Sequence, residues 1–310
     1  MATIRTPFRT PWAKISRIRR QEALTGFLFT LPWIISLLVL IIYPIIDTFY
    51  LSFTNYSIIQ APEWVGFANY EDLLIHDPSV KIAVYNSLYY AFISVPIGLT
   101  LSLGLALLLN MRAVGIGLYR TLFYLPSLVP PIAATIIFLV LFEPLGGVIN
   151  TGIKMFGLPA PFWFADPAWA KPGLILLSLW GIGYLTLIFL AGLQDVPVTL
   201  LEAATIDGAN AWQKFRNVTL PMISNVILFN LVMNVIWSFQ VFTQALVIGG
   251  TTGSPLESTL VLMVVIYRNA FRYFKMGYAS ALAFLLFIVI MIVTVLIFRS
   301  SSSWVYTEDE

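Results

Sequence analysis

Six windows of this chain run for about twenty residues or more with almost no charge, and polar, glycine- and proline-bearing segments separate them. A helix that crosses a bilayer needs about 20 consecutive apolar residues. The windows near 24–46, 83–109, 121–142, 173–193, 222–246 and 277–298 therefore predict six membrane-spanning helices. The first window follows basic residues, as a secretory signal would. Its apolar run exceeds the roughly 7–15 residues of a signal core, and no small-x-small cleavage pattern follows Tyr43-Pro44-Ile45-Ile46. It reads as a retained helix.

Proline falls in or at the ends of several windows: Pro32, Pro44, Pro96, Pro126, Pro130 and Pro131. Each removes a backbone hydrogen bond. In lipid the freed carbonyl must find a neighbour or face a cavity, although membrane helices carry more proline than soluble ones in any case. Gly98, Ser102 and Ala106 recur at four-residue spacing, the small-residue pattern that lets helices approach closely.

Lysine and arginine set the expected orientation. Arg5, Arg9, Lys14, Arg17, Arg19 and Arg20 precede the first window, while 47–80 has none and carries Asp47, Glu63, Glu71, Asp72 and Asp77. The N-terminal tail is thus expected in the cytoplasm, and six spans return the C-terminus, with Arg299, to the same side. Arg112, Arg120 and the segment 194–221 then face the cytoplasm. Segment 249–276 fits less simply: it is expected outside yet holds Arg268, Arg272 and Lys275. Its apolar stretch Leu260–Tyr267 is too short to span. An interfacial or re-entrant helix is one reading, and a seventh span over 255–271 is another.

Composition agrees with immersion in lipid. Apolar residues make up 59% and charged residues 10%, against about 45–50% and 25% in soluble domains. The net charge of +2 and the absence of an aromatic-interleaved basic patch argue against nucleic-acid binding. With no cysteine, disulfides and thiolate metal sites are excluded. The lone histidine, His76, sits beside Asp77 and Pro78 and reads as a solvated loop residue. No lysine is followed by Ser or Thr, so there is no Walker A phosphate loop. HExxH, a GxSxG elbow and a His–carboxylate cluster are also missing. The expectation is a non-enzyme with no catalytic and no metal site. The windows hold no deep ionisable group, Lys81 and Glu143 falling at their ends. That argues against a proton relay and favours a solute without strong net charge. Sodium coupling through backbone carbonyls stays open.

Polar residues inside the fifth window are the first candidate site: Asn230, Asn234, Trp237, Ser238, Gln240 and Gln244. Positions 230, 234, 237, 238 and 241 share one helical stripe, Gln244 extends it, and Gln240 lies somewhat off it. Amides and a hydroxyl beside an indole suit a sugar, whose hydroxyls bond to amides and whose C–H face packs on an aromatic ring. The same residues also serve as hydrogen-bonding glue between helices. Tyr184, Asn86 and Tyr89 are weaker candidates.

The second candidate is the polar island Glu202-Ala203-Ala204-Thr205-Ile206-Asp207-Gly208-Ala209. Thr199 and Glu202 fit a capping box, with Pro197 near the helix start. The helix is expected to reach about Ile206, and Asp207-Gly208 to break it. A second helix, about 210–218, presents Trp212 and Phe215 before Leu220-Pro221. A bare helix–turn–helix would have Glu202 merely capping and Trp212 and Phe215 merely packing.

Glu-Ala-Ala-x-x-Asp-Gly-Ala followed by Trp212-Gln213-x-Phe215-Arg216 and Thr219-Leu220-Pro221 resembles the EAA loop of binding-protein-dependent ABC importers. More narrowly, the chain is similar to the inner-membrane permeases of the maltose, oligosaccharide and glycerol-phosphate class. Leu125-Pro126-x-x-x-Pro130-Pro131, Gly192-Leu193-Gln194-x-x-Pro197, Glu257-Ser258-Thr259 and Gly277-Tyr278-Ala279-Ser280-Ala281 agree with it, across most of 27–298. The resemblance implies an all-α polytopic type I permease fold with both termini cytoplasmic. It divides the chain into a basic tail (1–23), a first helix with an acidic outer loop (24–80), a permease core (81–299) containing the coupling loop 194–221, and a second tail (300–310).

It also implies a sugar or sugar-like cargo carried across a bacterial or archaeal plasma (inner) membrane. The implied partners are a second permease in a heterodimer, two ATPase subunits and an extracytoplasmic solute-binding protein. ATP and Mg would reside on the ATPases, with no cofactor on this chain. Glu202, Asp207, Trp212 and Phe215 would belong to the ATPase-coupling element, Ala203 and Ala204 would allow its close approach, and Gly208 would permit its turn. Thr199-Leu200-Leu201 is more apolar than the family pattern, and Phe138 and Phe142 stand where tryptophan is frequent. No counterpart is seen to the extra N-terminal spans and large outer domain of some maltose permeases. Alternatives are a glycerol-phosphate or other small-solute permease, an ion-coupled carrier, and a membrane scaffold.

Overall fold

The computed structural model describes residues 17–306, without the side chains of 17–20. Arg5, Arg9 and Lys14 of the basic tail and the last four residues lie outside the described residues. Tyr50 closes one compact unit and Leu51 opens the second. The first unit is essentially one helix, α1, counted as a span over Gln21–Leu51 and passing through a π-helical turn at Leu38–Ile42. None of its most apolar window is buried.

The second unit contains the remaining spans. α2 (Pro78–Leu109) begins five residues before the predicted 83, because Pro78 takes the first helical position and the Asp77 carboxylate accepts the Ser79 N–H at 2.9 Å. The third and fourth windows are broken helices. α3 (Ile116–Tyr124) continues as a 3₁₀ turn, Leu125–Leu128, and meets α4 (Pro131–Leu141) at a bend of 97°. Pro126, Pro130 and Pro131 cause the break. α5 (Pro167–Trp180) and α6 (Gly183–Gln194) meet at 48° across Gly181-Ile182. α5 starts six residues before the predicted 173, capped by Asp166, so Lys171 lies inside a spanning segment. Among the described residues four helices are long and apolar enough to cross a bilayer, and six spans result when each bent pair is one.

After the short loop 195–197 come α7 (Val198–Ile206) and α8 (Ala211–Lys214), then α9 (Ser224–Phe239), α10 (Thr243–Gly249), α11 (Leu262–Tyr267) and α12 (Met276–Ser301). α2 is the central helix, packed most extensively on α6 and α9. Gly98, Ser102 and Ala106 are all buried on it. A Cβ at Gly98 would stand 3.2 Å from Asn234 Nδ2 of α9, and Ala106 packs with Phe189, Leu190 and Leu193 of α6. Lipid tails are as apolar as these side chains, so close van der Waals fit, not escape from water, holds the helices together.

Segment 249–276 folds inside the bundle and contains no helix long enough to span. α11 is six residues long, about 9 Å at 1.5 Å per residue, and a π-helical turn, Arg268–Arg272, follows it. Leu260, Val261, Leu262, Val264 and Val265 are all at most 2% exposed, so the segment is buried within the bundle. Its non-helical backbone is satisfied by α2: Asn86 Nδ2 donates to the carbonyls of Glu257 (2.8 Å) and Leu260 (2.9 Å), and Ser87 Oγ accepts the Leu262 N–H. Irregular backbone at membrane depth requires such protein partners.

At the same end, β1 (Thr54–Asn55) and β2 (Glu63–Trp64) pair antiparallel, Thr54 opposite Trp64. The Gly277 N–H donates to Tyr56 O at 3.0 Å, and the Tyr278 hydroxyl donates to Asp77 at 2.8 Å. Between α4 and α5, Phe138, Phe142 and Trp163 form an aromatic cluster, with Phe142 edge-on to Trp163 at 4.9 Å and Trp163 Nε1 donating to Asn150 at 2.7 Å. Phe138 and Phe142 supply the aromatic mass at this point. In the loop after α4, the Glu143 carboxylate accepts the Leu145 and Gly146 N–H groups, which hold its pKa below the ordinary carboxylate value.

Candidate functional site

The broken pair α5 and α6 and the two halves of 224–249 leave space beside α2. The gap at Gly181-Ile182 and the interruption between α9 and α10 open a cavity of about 340 Å³. Four of the six candidate residues from the fifth window stand around it on α9 and its C-terminal end: Asn234, Trp237, Ser238 and Gln240. Gln244, in the first turn of α10, completes the set of five that the fold brings together. Tyr184, at the start of α6, joins them, its ring edge-on to Trp237 at 5.4 Å. Trp237 is 41% exposed, an unusual state for an indole on a central helix, so its face is open to the cavity.

The amides here are sparsely used. Asn234 Nδ2 reaches only Val95 O, at 3.5 Å, a weak bond. Ser238 Oγ bonds back to its own helix at Val235 O, 2.8 Å. Asn230 is different. It is fully buried, its Nδ2 reaches Leu185 O at 3.4 Å, and its Oδ1 has no partner. It lies between α9 and α6, away from the cavity. Asn86 and Tyr89 are also absent from the lining; the Asn86 amide is committed to the Glu257 and Leu260 carbonyls. Three polar lining residues escaped the sequence reading: Tyr90 and Ser94 on α2 and Ser178 on α5. With Gly98 the first two make an i, i+4, i+8 stripe on one face of α2.

The polar island forms a second surface at the opposite end of α6. α7 runs Val198–Ile206 as expected, but the Thr199–Glu202 capping box is not formed. Pro197 occupies the N-cap, so Thr199 is already inside the first turn and its hydroxyl cannot cap. The box appears one element later. Asn210 Oδ1 accepts the Gln213 N–H at 2.9 Å, and Gln213 Oε1 accepts the Asn210 N–H at 2.8 Å.

Gly208, at φ +79°, ends α7 in the left-handed region. The Ala209 N–H donates to Ala204 O at 2.9 Å and the Gly208 N–H to Thr205 O at 3.1 Å, the paired bonds of a Schellman motif. Lys214 Nζ donates to Thr205 Oγ1 at 3.3 Å and ties α8 back to α7. The expected second helix is divided: Ala211–Lys214 is α-helical and Phe215–Thr219 is a π-helical turn. The Trp212 and Phe215 rings meet at a tilt, 5.6 Å between centres, with Trp212 66% exposed. Glu202, Ala203, Asp207 and Gly208 are exposed as well. Beneath them a cleft of about 320 Å³ is bordered by Ala203, Ala204 and Asp207 and by Tyr306 near the C-terminus. Ser224 Oγ accepts the Tyr306 N–H, and Asn225 Nδ2 donates to Tyr306 O. The C-terminal segment and the island thus share one end of the protein.

Among the described residues no three His, Asp or Glu side chains gather as a metal site. His76 is exposed beside Asp72 at 3.2 Å.

The sequence profile described as "Binding-protein-dependent transport system inner membrane component" matches residues 88–305. The chain is 39% identical over 299 residues to the probable ABC transporter permease protein YesP of Bacillus subtilis, covering 96% of each. It is 33% identical to the arabinooligosaccharides transport system permease protein AraP of the same organism, over 90% of this chain and 88% of AraP. It is 32% identical to the lactose transport system permease protein LacF of Rhizobium radiobacter, over 92% and 97%. A chain of a crystallised bacterial ABC transporter involved in the import of the acidic polysaccharide alginate has the same fold, at TM-score 0.80, 24% identity and 92% and 97% coverage. With broken spans around a polar cavity and a profile match over most of its length, this chain belongs to the inner-membrane components of binding-protein-dependent transport systems and is a multi-pass ABC importer permease.

Proposed function

We propose that this permease carries a sugar or oligosaccharide through the cavity beside α2, driven by ATP hydrolysis on separate subunits that engage α7 and α8. The observation that carries the reading is the cavity itself. An accessible indole, a phenol and under-used amides surround about 340 Å³, at the small end of the roughly 300–1,000 Å³ of small-molecule sites. No lining side chain is ionisable near neutral pH. Sugar hydroxyls offer both donors and acceptors to such amides, and Trp237 and Tyr184 offer faces for a pyranose ring. The relatives named for arabinooligosaccharides and lactose support the same class of cargo.

The exposed helix pair supports the coupling role. Glu202, Asp207, Trp212 and Phe215 form the contact surface for an ATPase, Ala203 and Ala204 keep it shallow, and Gly208 sets its angle. The segment 194–221 and both termini face the cytoplasm. The complete importer pairs this chain with a second permease, two ATPases that hold ATP and Mg, and an extracytoplasmic binding protein.

The test is reconstitution of the complete assembly in proteoliposomes with ATP trapped inside and labelled oligosaccharides and the binding protein outside. Uptake that requires ATP and falls in Trp237→Ala, with the assembly intact, supports the reading. Uptake by this chain alone under an ion gradient refutes it.

A further inference from the structure

Two helical turns from the cavity, the structure holds a cation that the cavity chemistry does not use. Lys171 lies in the second turn of α5, partly buried. Its Nζ donates to Asn86 Oδ1 at 3.1 Å and stands 4.9 Å from the ring centres of both Tyr85 and Tyr89. The two phenol rings are 6.4 Å apart and flank it. Asn86 is fixed in this orientation because both of its N–H groups bond the carbonyls of Glu257 and Leu260. Its oxygen therefore faces the ammonium. Tyr85 is 61% exposed, so one side of the group is open.

No carboxylate lies within ion-pair distance of Lys171 among the described residues, where the sole salt bridge joins His76 and Asp72. The neighbouring Asp166 accepts the Ala168 N–H as the cap of α5. An ammonium in a spanning segment is expensive and generally marks function. Ring faces and one amide oxygen stabilise it only in part. A neutral hydroxyl would satisfy Asn86 Oδ1 equally well, so hydrogen bonding alone gives no reason for the charge.

Lys171 and Ser178 are seven residues apart, on the same face of α5 and about 10.5 Å along the axis. Asn86, Tyr90 and Ser94 make the matching i, i+4, i+8 row on α2. Ser178, Tyr90 and Ser94 line the cavity, so one inter-helix seam leads from the ammonium to it. We propose that Lys171, framed by Tyr85, Tyr89 and Asn86, binds a carboxylate on the way to the cavity, and that the cargo is an acidic, uronate-bearing oligosaccharide. This rests on the sugar reading above. The sugar-ring chemistry stays with the neutral cavity, and Lys171 supplies the one charge that separates a uronate from its neutral counterpart. A carboxylate at a partly desolvated ammonium makes a charge-assisted bond stronger than a neutral one.

The experiment uses the complete importer with its binding protein in proteoliposomes, and two matched pairs of probes: digalacturonate and cellobiouronate, each beside its carboxyl-reduced counterpart. Wild type is expected to prefer the acidic member of a pair by about tenfold or more, the scale of one charge-assisted contact. Lys171→Met should bring that preference to within about twofold, and Lys171→Arg should retain most of it. Assembly of each variant is followed by size-exclusion chromatography. A wild type that moves the neutral sugars and not the uronates overturns the proposal and leaves the sugar reading standing. So does a Lys171→Met variant that assembles and loses both members equally, or keeps its preference. If the assembly hydrolyses ATP and moves none of the four sugars, the sugar reading fails and this proposal with it.

Discussion

Replacing Gly208 by valine tests whether the turn between α7 and α8 transmits force. Gly208 has φ +79°, and a Cβ there would meet no atom within 4 Å. The cost is thus conformational and involves no clash. A left-handed residue with a side chain costs about 1–2 kcal/mol, and a β-branched one falls at the upper end. If the turn relaxes instead, the two terminal bonds of α7, from Ala209 and Gly208, are lost, at about 0.5–1.5 kcal/mol each. Either route disfavours the native turn by about 2 kcal/mol, a factor of about 30 in its equilibrium with relaxed forms. Uptake and ATP hydrolysis measured in the same proteoliposomes should separate: uptake falls by about 5- to 30-fold, hydrolysis falls less, and the assembly persists because the site is exposed. Gly208→Asn should keep most transport, since asparagine tolerates this backbone region. Wild-type uptake in Gly208→Val, or equal losses in the asparagine and valine variants, would refute the reasoning.

Asn210→Ala removes the bond from the Gln213 N–H to Asn210 Oδ1, while the residue-210 backbone N–H can still donate to Gln213 Oε1; it should cost about 0.5–2 kcal/mol locally, seen as faster amide exchange over 210–215. Trp237→Ala should reduce uptake while leaving thermal stability in detergent near wild type, because its side chain is 41% exposed. Asn230→Leu should do the reverse, shifting the melting temperature with little direct effect on solute preference, since Asn230 is buried outside the cavity. Gly277→Ala would place a Cβ 1.9 Å from the Thr54 carbonyl oxygen. It should displace the β1 segment from α12 and destabilise the protein by about 1–3 kcal/mol, measurable by thermal unfolding of the purified complex.

Much of this protein was legible along the chain. Hydrophobic windows located the spans, because a bilayer imposes its own length on any helix that crosses it. The helix ending at Asp207-Gly208 and the aromatic pair at 212 and 215 were readable from local chemistry, which acts within a few residues. The stripe on α9 foretold most of one wall of the cavity. Local rules misfired where two competed: Pro197 displaced Thr199 from the cap, and Asn210 and Gln213 took the box instead. Tertiary packing alone decided which polar residues face space and which face neighbours. Asn234 and Asn230 are one helical turn apart on one stripe, yet the first lines the cavity and the second is buried against α6. Which side of α9 meets α6 is not encoded in either helix by itself. The same holds for the bends of 97° and 48°, for the burial of 260–265 within the bundle, and for the meeting of Lys171 with Asn86, 85 residues away in the chain. Each depends on contacts between distant segments, and a periodicity read along one segment cannot contain them.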